Sequence, residues 1–223
     1  MPLNKQTGNM YPWITHTWNP IRGKCPHNCL YCYMKRFPQG ELRLDEKELK
    51  TNLGSGKKIF VGSSCDMWAE DVPLDWIYLV LQVCREYDNT YLFQSKNTHR
   101  FRPAILGKWE VPEKTMLGTT LETNRDYGIS KAPPPEERGE FFAKLDWLPK
   151  MVSIEPIMDF DLDIFLKLIG RISPEFVSIG ADSKGYNLPE PSSDKVQALI
   201  EELKKITDVR IKNNLQRLLR GRD

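Results

Sequence analysis

Three cysteines fall within eight positions of the stretch WNPIRGKCPHNCLYCYMKRF, residues 18 to 37: Cys25, Cys29 and Cys32. Five cysteines in all, an odd number with three clustered, point to metal or redox chemistry rather than to a disulfide framework. A structural zinc site is closed by four ligands. The nearest extra ligand, His27, lies inside the three-residue gap between the first two cysteines, where reaching the same metal is awkward, so zinc is the weaker reading. Three thiolates on a four-iron cluster leave one iron with an open coordination position for a substrate or cofactor. That chemistry explains why the pattern stops at three.

The elements that must position these thiols follow from apolar periodicity. Short β-rich runs, WITHTW, KKIFVGS, TYLFQSK, TMLGTTLET, KMVSIEP, FVSIGAD and VRIKNN, alternate with helical segments. Helical stripes appear at Ile77, Val80, Leu81 and Cys84, at Leu162, Phe165, Leu166 and Ile169, and at Val196, Leu199, Ile200 and Leu203. Proline-then-glutamate in APPPEERGEFF and the serines of PSSDKV mark two helix starts. The spacing predicts one α/β domain over residues 1–223, with six or seven mainly parallel strands in an open sheet or a partial (β/α) barrel. In either form ligands bind at the carboxyl ends of the strands.

Those ends carry the remaining candidates. They are Gly62, Ser63, Ser64 and Asp66; Lys96; Glu122, Asn124 and Arg125; Glu155; Gly180, Asp182 and Ser183; and Lys212 with Asn213. Glu155, between Ile154 and Pro156 in an apolar run, needs a partner or a ligand. Gly62 and the hydroxyl residues after it let backbone N–H groups approach a charged ligand. The cysteine loop, residues 20–36, follows the first strand and so belongs to the same rim.

At 223 residues and 40% hydrophobic content the chain can bury a core. No window is long and apolar enough for a membrane span and the first residues lack a signal-peptide core, so a cytoplasmic protein without membrane contact is expected. A net charge of +2 neither demands nor excludes a nucleic-acid partner.

The Cys-x3-Cys-x2-Cys triplet, with Tyr31 before its last cysteine in a loop after the first strand, resembles the radical S-adenosylmethionine (SAM) enzymes. WITHTWNP, the cysteines, VGSSCDMWAEDVP, FQSKN, LGTTLETN, VSIEPIMD and VSIGADS, in that order, resemble the phage- and archaea-associated group with Trp-Asn-Pro ahead of the cysteines. The resemblance implies a partial barrel of the radical SAM type and a 4Fe-4S cluster on Cys25, Cys29 and Cys32. It further implies S-adenosylmethionine on the open iron, cleavage to methionine and a 5′-deoxyadenosyl radical, and hydrogen abstraction from a substrate. It places Gly62, Ser63 and Ser64 at the methionine amino group, Lys96, Glu122 and Arg125 among ribose and carboxylate contacts, Glu155 farther round the rim, and Tyr31 beside the adenine. A reductant such as flavodoxin or ferredoxin is implied as a partner.

Basic clusters in MKRF, SKNTHRFR and RIKNNLQRLLRGR, with Trp18, Trp68 and Phe101 available for stacking, favour a nucleic acid or nucleotide as substrate, altered at a base. A peptide or small molecule is the alternative substrate, and a non-catalytic metal-stabilised nucleic-acid-binding module the alternative class. Cys84 reads as helix packing, and Cys65 as either a small buried residue or a hydrogen donor.

Overall fold

The computed structural model describes residues 3–6, 10–104, 106, 110–147 and 149–220. In chain order its elements begin with β1 (Asn4–Lys5), β2 (His16–Trp18), β3 (Ile21–Arg22), β4 (Arg43–Leu44), α1 (Glu46–Leu49), β5 (Lys58–Val61), α2 (Leu74–Arg85) and β6 (Thr90–Ser95). There follow β7 (Thr115–Thr120), α3 (Pro135–Ala143), β8 (Lys150–Ile154), α4 (Leu162–Ile172), β9 (Phe176–Ile179), α5 (Ser193–Leu203), β10 (Asp208–Ile211) and α6 (Gln216–Leu219). The main sheet runs β1-β2-β5-β6-β7-β8-β9-β10, with β1 antiparallel at one edge and the other seven strands parallel in sequence order. The α/β class and the parallel strands expected from the sequence are therefore present, and the arrangement is consistent with a partial barrel.

Each strand alternates its side chains between two buried faces, as parallel strands covered on both sides require. Ile59, Val61, Tyr91, Phe93, Leu117, Val152, Ile154, Val177 and Ile179 face the helices and join the main core. Ile77, Val80, Leu81 and Cys84 of α2 meet them as expected. On α4 the buried stripe is Phe165, Leu168, Ile169 and Ile172, rotated from the expected one, with Leu162 and Leu166 at its margin. Ser192 caps α5 and Pro135 opens α3, as their signals indicate.

The inner face carries a second, smaller core of Leu92, Met116, Met151 and Phe176, with Phe60 against it. Residues 10–14 fill it: Tyr11 lies 6.2 Å from Phe60, and Trp13 lies 5.7 Å from Phe176. One short segment thus touches β5 and β9, strands four places apart in the sheet, so the sheet curls around it. The expected strand WITHTW is accordingly shorter. Its first two residues belong to this plug, where Ile14 N–H turns back onto the Tyr11 carbonyl, and only His16–Trp18 pairs with β5.

Two further departures concern the cysteine segment. It hangs from a two-stranded antiparallel ribbon, β3 with β4, that no periodicity signalled. And Trp18, Trp68 and Phe101 are core residues with at most 1% exposure, so they are not available for base stacking. Trp68 packs edge-on against Phe93 and Phe101, at 5.9 and 4.8 Å between ring centroids, and Trp18 donates its indole N–H to the Glu48 carbonyl. Among the described residues no helix is long and apolar enough to cross a membrane.

A buried indole in an edge-to-face pair combines area burial with ring electrostatics. Trp68→Ala is expected to cost about 3 to 5 kcal/mol in a denaturant titration, with an unchanged m-value. A loss below about 1 kcal/mol would contradict the core placement.

Candidate active site at the carboxyl rim

The cysteine segment is a chain of tight turns, Asn28 N–H to Cys25 C=O, Cys32 N–H to Cys29 C=O and Lys35 N–H to Cys32 C=O, at 3.1 to 3.2 Å. Asn28 holds a left-handed conformation with φ of 44°, which an asparagine tolerates well. Backbone bonds from Leu30 to Ile129 and from Lys131 to His27 lay the segment beside residues 129–131, and Cys29 Sγ lies 3.2 Å from Ser130 Oγ. Cys29 is buried, while Cys25 and Cys32 are half-buried.

The segment is pinned to the sheet by Asp66, just beyond β5. Its Oδ2 accepts from His27 Nε2 at 2.8 Å, from Ser95 Oγ at 2.9 Å and from the Lys96 N–H at 2.9 Å, and its Oδ1 accepts from the Trp68 N–H. Burial pushes the Asp66 carboxyl up, but the charge and hydrogen bond of His27 more than reverse this and hold it low. His27 therefore serves as an anchor and is turned to a carboxylate. Among the described residues no three His, Cys, Asp or Glu side chains are gathered tightly enough to share one metal ion. The three thiols nevertheless feel one another: besides burial, the charges of Cys29 and Cys25 push the Cys32 thiol up.

Next to Cys29 lies a buried charge cluster. Lys96 Nζ donates to Glu122 Oε1 and to the Tyr31 hydroxyl, and sits 4.5 Å from the Tyr31 ring centroid. Tyr31 OH donates to the same Glu122 oxygen. From α3, Arg138 Nη1 approaches Glu122 Oε2 at 3.1 Å and donates to the Thr120 carbonyl at 2.6 Å. Burial pushes the Glu122 carboxyl up, yet the Arg138 and Lys96 charges bring it down to about 2. Burial works against the Lys96 charge, and the Cys29 and Glu122 charges restore it and raise its pKa. The structure thus brings Tyr31, Lys96 and Glu122 together beside the cysteines. Arg138, buried in the middle of a helix, was missed, because one arginine on an amphipathic helix reads as surface.

The other expected contacts are dispersed. Gly62 N–H is taken by the Trp18 carbonyl, and Asn19 Oδ1 accepts from the Ser64 N–H at 2.9 Å and from Ser63 Oγ at 3.2 Å. Trp-Asn-Pro is thus a clamp: Trp18 enters the core, Asn19 ties down residues 63 and 64, and the Pro20 carbonyl accepts from Asp45 N–H. Gly62 adopts φ of 78°, and a Cβ there would lie 3.0 Å from the Cys65 carbonyl. Arg125 is held by Asp159 and Asp161, not by the cysteine-side cluster. Glu155, after β8, meets Lys212 Nζ at 2.6 Å and Asn214 Nδ2 at 3.0 Å, both after β10, across the end of β9 farther round the rim. Cys84 is fully buried on α2, and Cys65, also buried, shares a hydrogen bond with Cys25 that favours the Cys25 thiolate.

Glu122 has a folded-state pKa below its ordinary 4.5, so its stabilising contribution is complete above 4.5 and is lost as pH falls towards 2. Glu122→Gln is expected to remove about 3 kcal/mol at neutral pH, since it strands Lys96 and Arg138 in the interior. It should also flatten the acid limb of a stability-versus-pH curve measured by urea unfolding. An unchanged acid limb would show that this cluster does not contribute as described.

Solved structures of spore photoproduct lyase share this fold. A double mutant with bound AdoMet and dinucleoside spore photoproduct aligns with TM-score 0.55 and 11% identity over 92% of this chain and 66% of that one. Single-site mutants align with TM-scores of 0.64 and 0.62, at 9% and 10% identity, over 94% of this chain and 80% of theirs. The chain thus spans about two thirds to four fifths of the length of those lyase chains, and at such identities the likeness is one of fold. No curated protein matches the sequence. Residues 9–185 match the family described as "Protein of unknown function (DUF5131)", and the chain belongs to that family.

Proposed function

We propose that the chain is a radical SAM enzyme of the phage- and archaea-associated group with the Trp-Asn-Pro signature, acting on a nucleic acid or nucleotide at a base. The observation that carries the reading is the meeting of three thiols with a half-buried ammonium at the carboxyl rim of a parallel sheet. Cys25, Cys29 and Cys32 would hold a 4Fe-4S cluster. When bound, that group supplies one electron for splitting S-adenosylmethionine into methionine and a 5′-deoxyadenosyl radical, which takes a hydrogen atom from the substrate.

The chain's own residues supply the rest. Lys96, kept protonated beside Cys29, suits a ligand carboxylate, and the buried Glu122 and Arg138 hold it in place. Asn19 shapes the turn at 62–64, leaving the Ser63 N–H without a partner among the described residues and open to a ligand acceptor.

A nucleic-acid substrate is supported by exposed Lys35, Arg36 and Lys184 at the mouth, where Arg36 reaches the Lys184 carbonyl. It is also supported by the fold shared with a lyase solved with dinucleoside spore photoproduct. A one-electron donor such as flavodoxin or ferredoxin completes the partners.

Anaerobic reconstitution is expected to give about four irons per chain and, with dithionite and S-adenosylmethionine, 5′-deoxyadenosine. Cys29→Ala should abolish both while keeping the helical signal, and Cys65→Ala should keep the iron. Supplied deuterated DNA or RNA, the enzyme should place deuterium in 5′-deoxyadenosine. Zinc as the sole bound metal with no nucleoside released would overturn the enzyme reading, and transfer from a deuterated peptide alone would overturn the substrate class.

A further inference from the structure

The inner face of the sheet holds a second polar cluster, apart from the cysteines. Above the plug, Tyr11 OH donates to Gln94 Oε1 at 2.9 Å, and Gln94 Nε2 donates to Thr120 Oγ1 at 2.9 Å. Nearer the rim, Glu155 Oε2 accepts from Lys212 Nζ at 2.6 Å, and Glu155 Oε1 from Asn214 Nδ2 at 3.0 Å. Lys212 Nζ also lies 4.9 Å from the Tyr11 ring centroid, which joins the two tiers. Strand alternation puts Gln94, Thr120, Glu155 and Lys212 on the same face as Leu92, Met116, Met151 and Phe176. Polar groups therefore stand beyond the plug, at the carboxyl ends of the strands.

Two details give this cluster a direction. A Cβ on Gly180 would lie 2.7 Å from the Glu155 carboxylate and 3.0 Å from Asn214 Oδ1, so the missing side chain leaves room for both acceptors. Asn214 Oδ1 is buried with no hydrogen-bond partner, a state that is costly unless a donor arrives. Acceptors thus converge beside an ammonium donor, and the Glu155 and Lys212 charges cancel. A phosphate would face the Glu155 carboxylate, and a free amine would face Lys212. A flat, uncharged ring with an N–H next to a C=O satisfies donor and acceptors together.

We propose that Tyr11, Gln94, Glu155, Lys212 and Asn214 form the recognition chamber for the reacting part of the substrate, and that it reads the N–H/C=O edge of an uncharged heterocycle such as a pyrimidine imide. Glu155 is then a substrate contact rather than a cofactor contact. The inference rests on the nucleic-acid reading above and deepens it by naming the moiety read.

Calorimetric binding to the full chain as purified tests the chamber without any catalytic turnover. The probes are the dinucleotide of two thymidines, its analogue methylated at both N3 positions, and a cyclic dipeptide, whose cis-amides offer the same edge without phosphate. The unmethylated dinucleotide is expected to bind about tenfold more tightly than the methylated one. Glu155→Gln should erase that preference, and Lys212→Met should weaken binding by a similar factor. Gly180→Ala keeps every polar group but displaces the Glu155 carboxylate. With its circular dichroism and Tm unchanged, it should lose the same preference, which separates recognition from folding.

Equal affinity for the methylated and unmethylated dinucleotides in the wild type overturns the chamber while leaving a nucleic-acid substrate in place. Binding of the cyclic dipeptide but of neither dinucleotide, weakened by Glu155→Gln, supports the chamber and overturns the nucleic-acid reading. Binding of none of the three overturns the chamber.

Discussion

Asp66 is the interaction on which the rim depends. Its carboxylate gathers hydrogen bonds from the cysteine segment through His27, from its own turn through Trp68, and from the end of β6 through Ser95 and Lys96. Hydrogen bonds to a charged group contribute about 1.5 to 3 kcal/mol each, more than the neutral turns within the segment. The cysteine segment buries little apolar surface of its own, with Leu30, Tyr33 and Phe37 exposed. Its position is therefore set by polar contacts, and the strongest of them converge on one residue. By fixing the backbone of Lys96, the same carboxylate orients the side chain that reaches Tyr31 and Glu122.

Around that anchor the site keeps charge in the interior only where it is answered. Glu122 is shared between Lys96 and Arg138, and Glu155 is shared between Lys212 and Asn214, whereas the Arg125 pairing with Asp159 and Asp161 lies at the surface. Removing one partner of such a buried set costs more than the pair contributes, because the remaining charge stays out of water. Glu122 follows β7 and Glu155 follows β8, so the sheet's own spacing keeps the two buried groups distinct.

Much of this was legible in the residues. Strands with two buried faces read as apolar runs, and the helices show three-and-four spacing, so the parallel alternation emerged from KKIFVGS, TYLFQSK, KMVSIEP and FVSIGAD. Polar residues at the ends of those runs included Lys96, Glu122, Glu155 and Lys212, which do cluster, though in two groups rather than one. What escaped is what periodicity does not encode. WITHTW alternates like a strand, yet Trp13 and Ile14 leave the ladder and join Tyr11 in packing on the apolar inner face of the curled sheet. His27 looked like a possible ligand and is an anchor, and Trp18 and Trp68 looked like stacking platforms and are core, since partner and depth are decided by distant segments.

The cysteine segment leaves and rejoins the chain through the ribbon of Ile21–Arg22 and Arg43–Leu44, whose two rungs close like a clasp. Lengthening or shortening the chain between those rungs leaves every neighbour in the parallel sheet in register, because the clasp absorbs the change. A change of length near those rungs is thus taken up outside the parallel sheet, whereas the carboxylate that receives His27 sits on the strand frame itself.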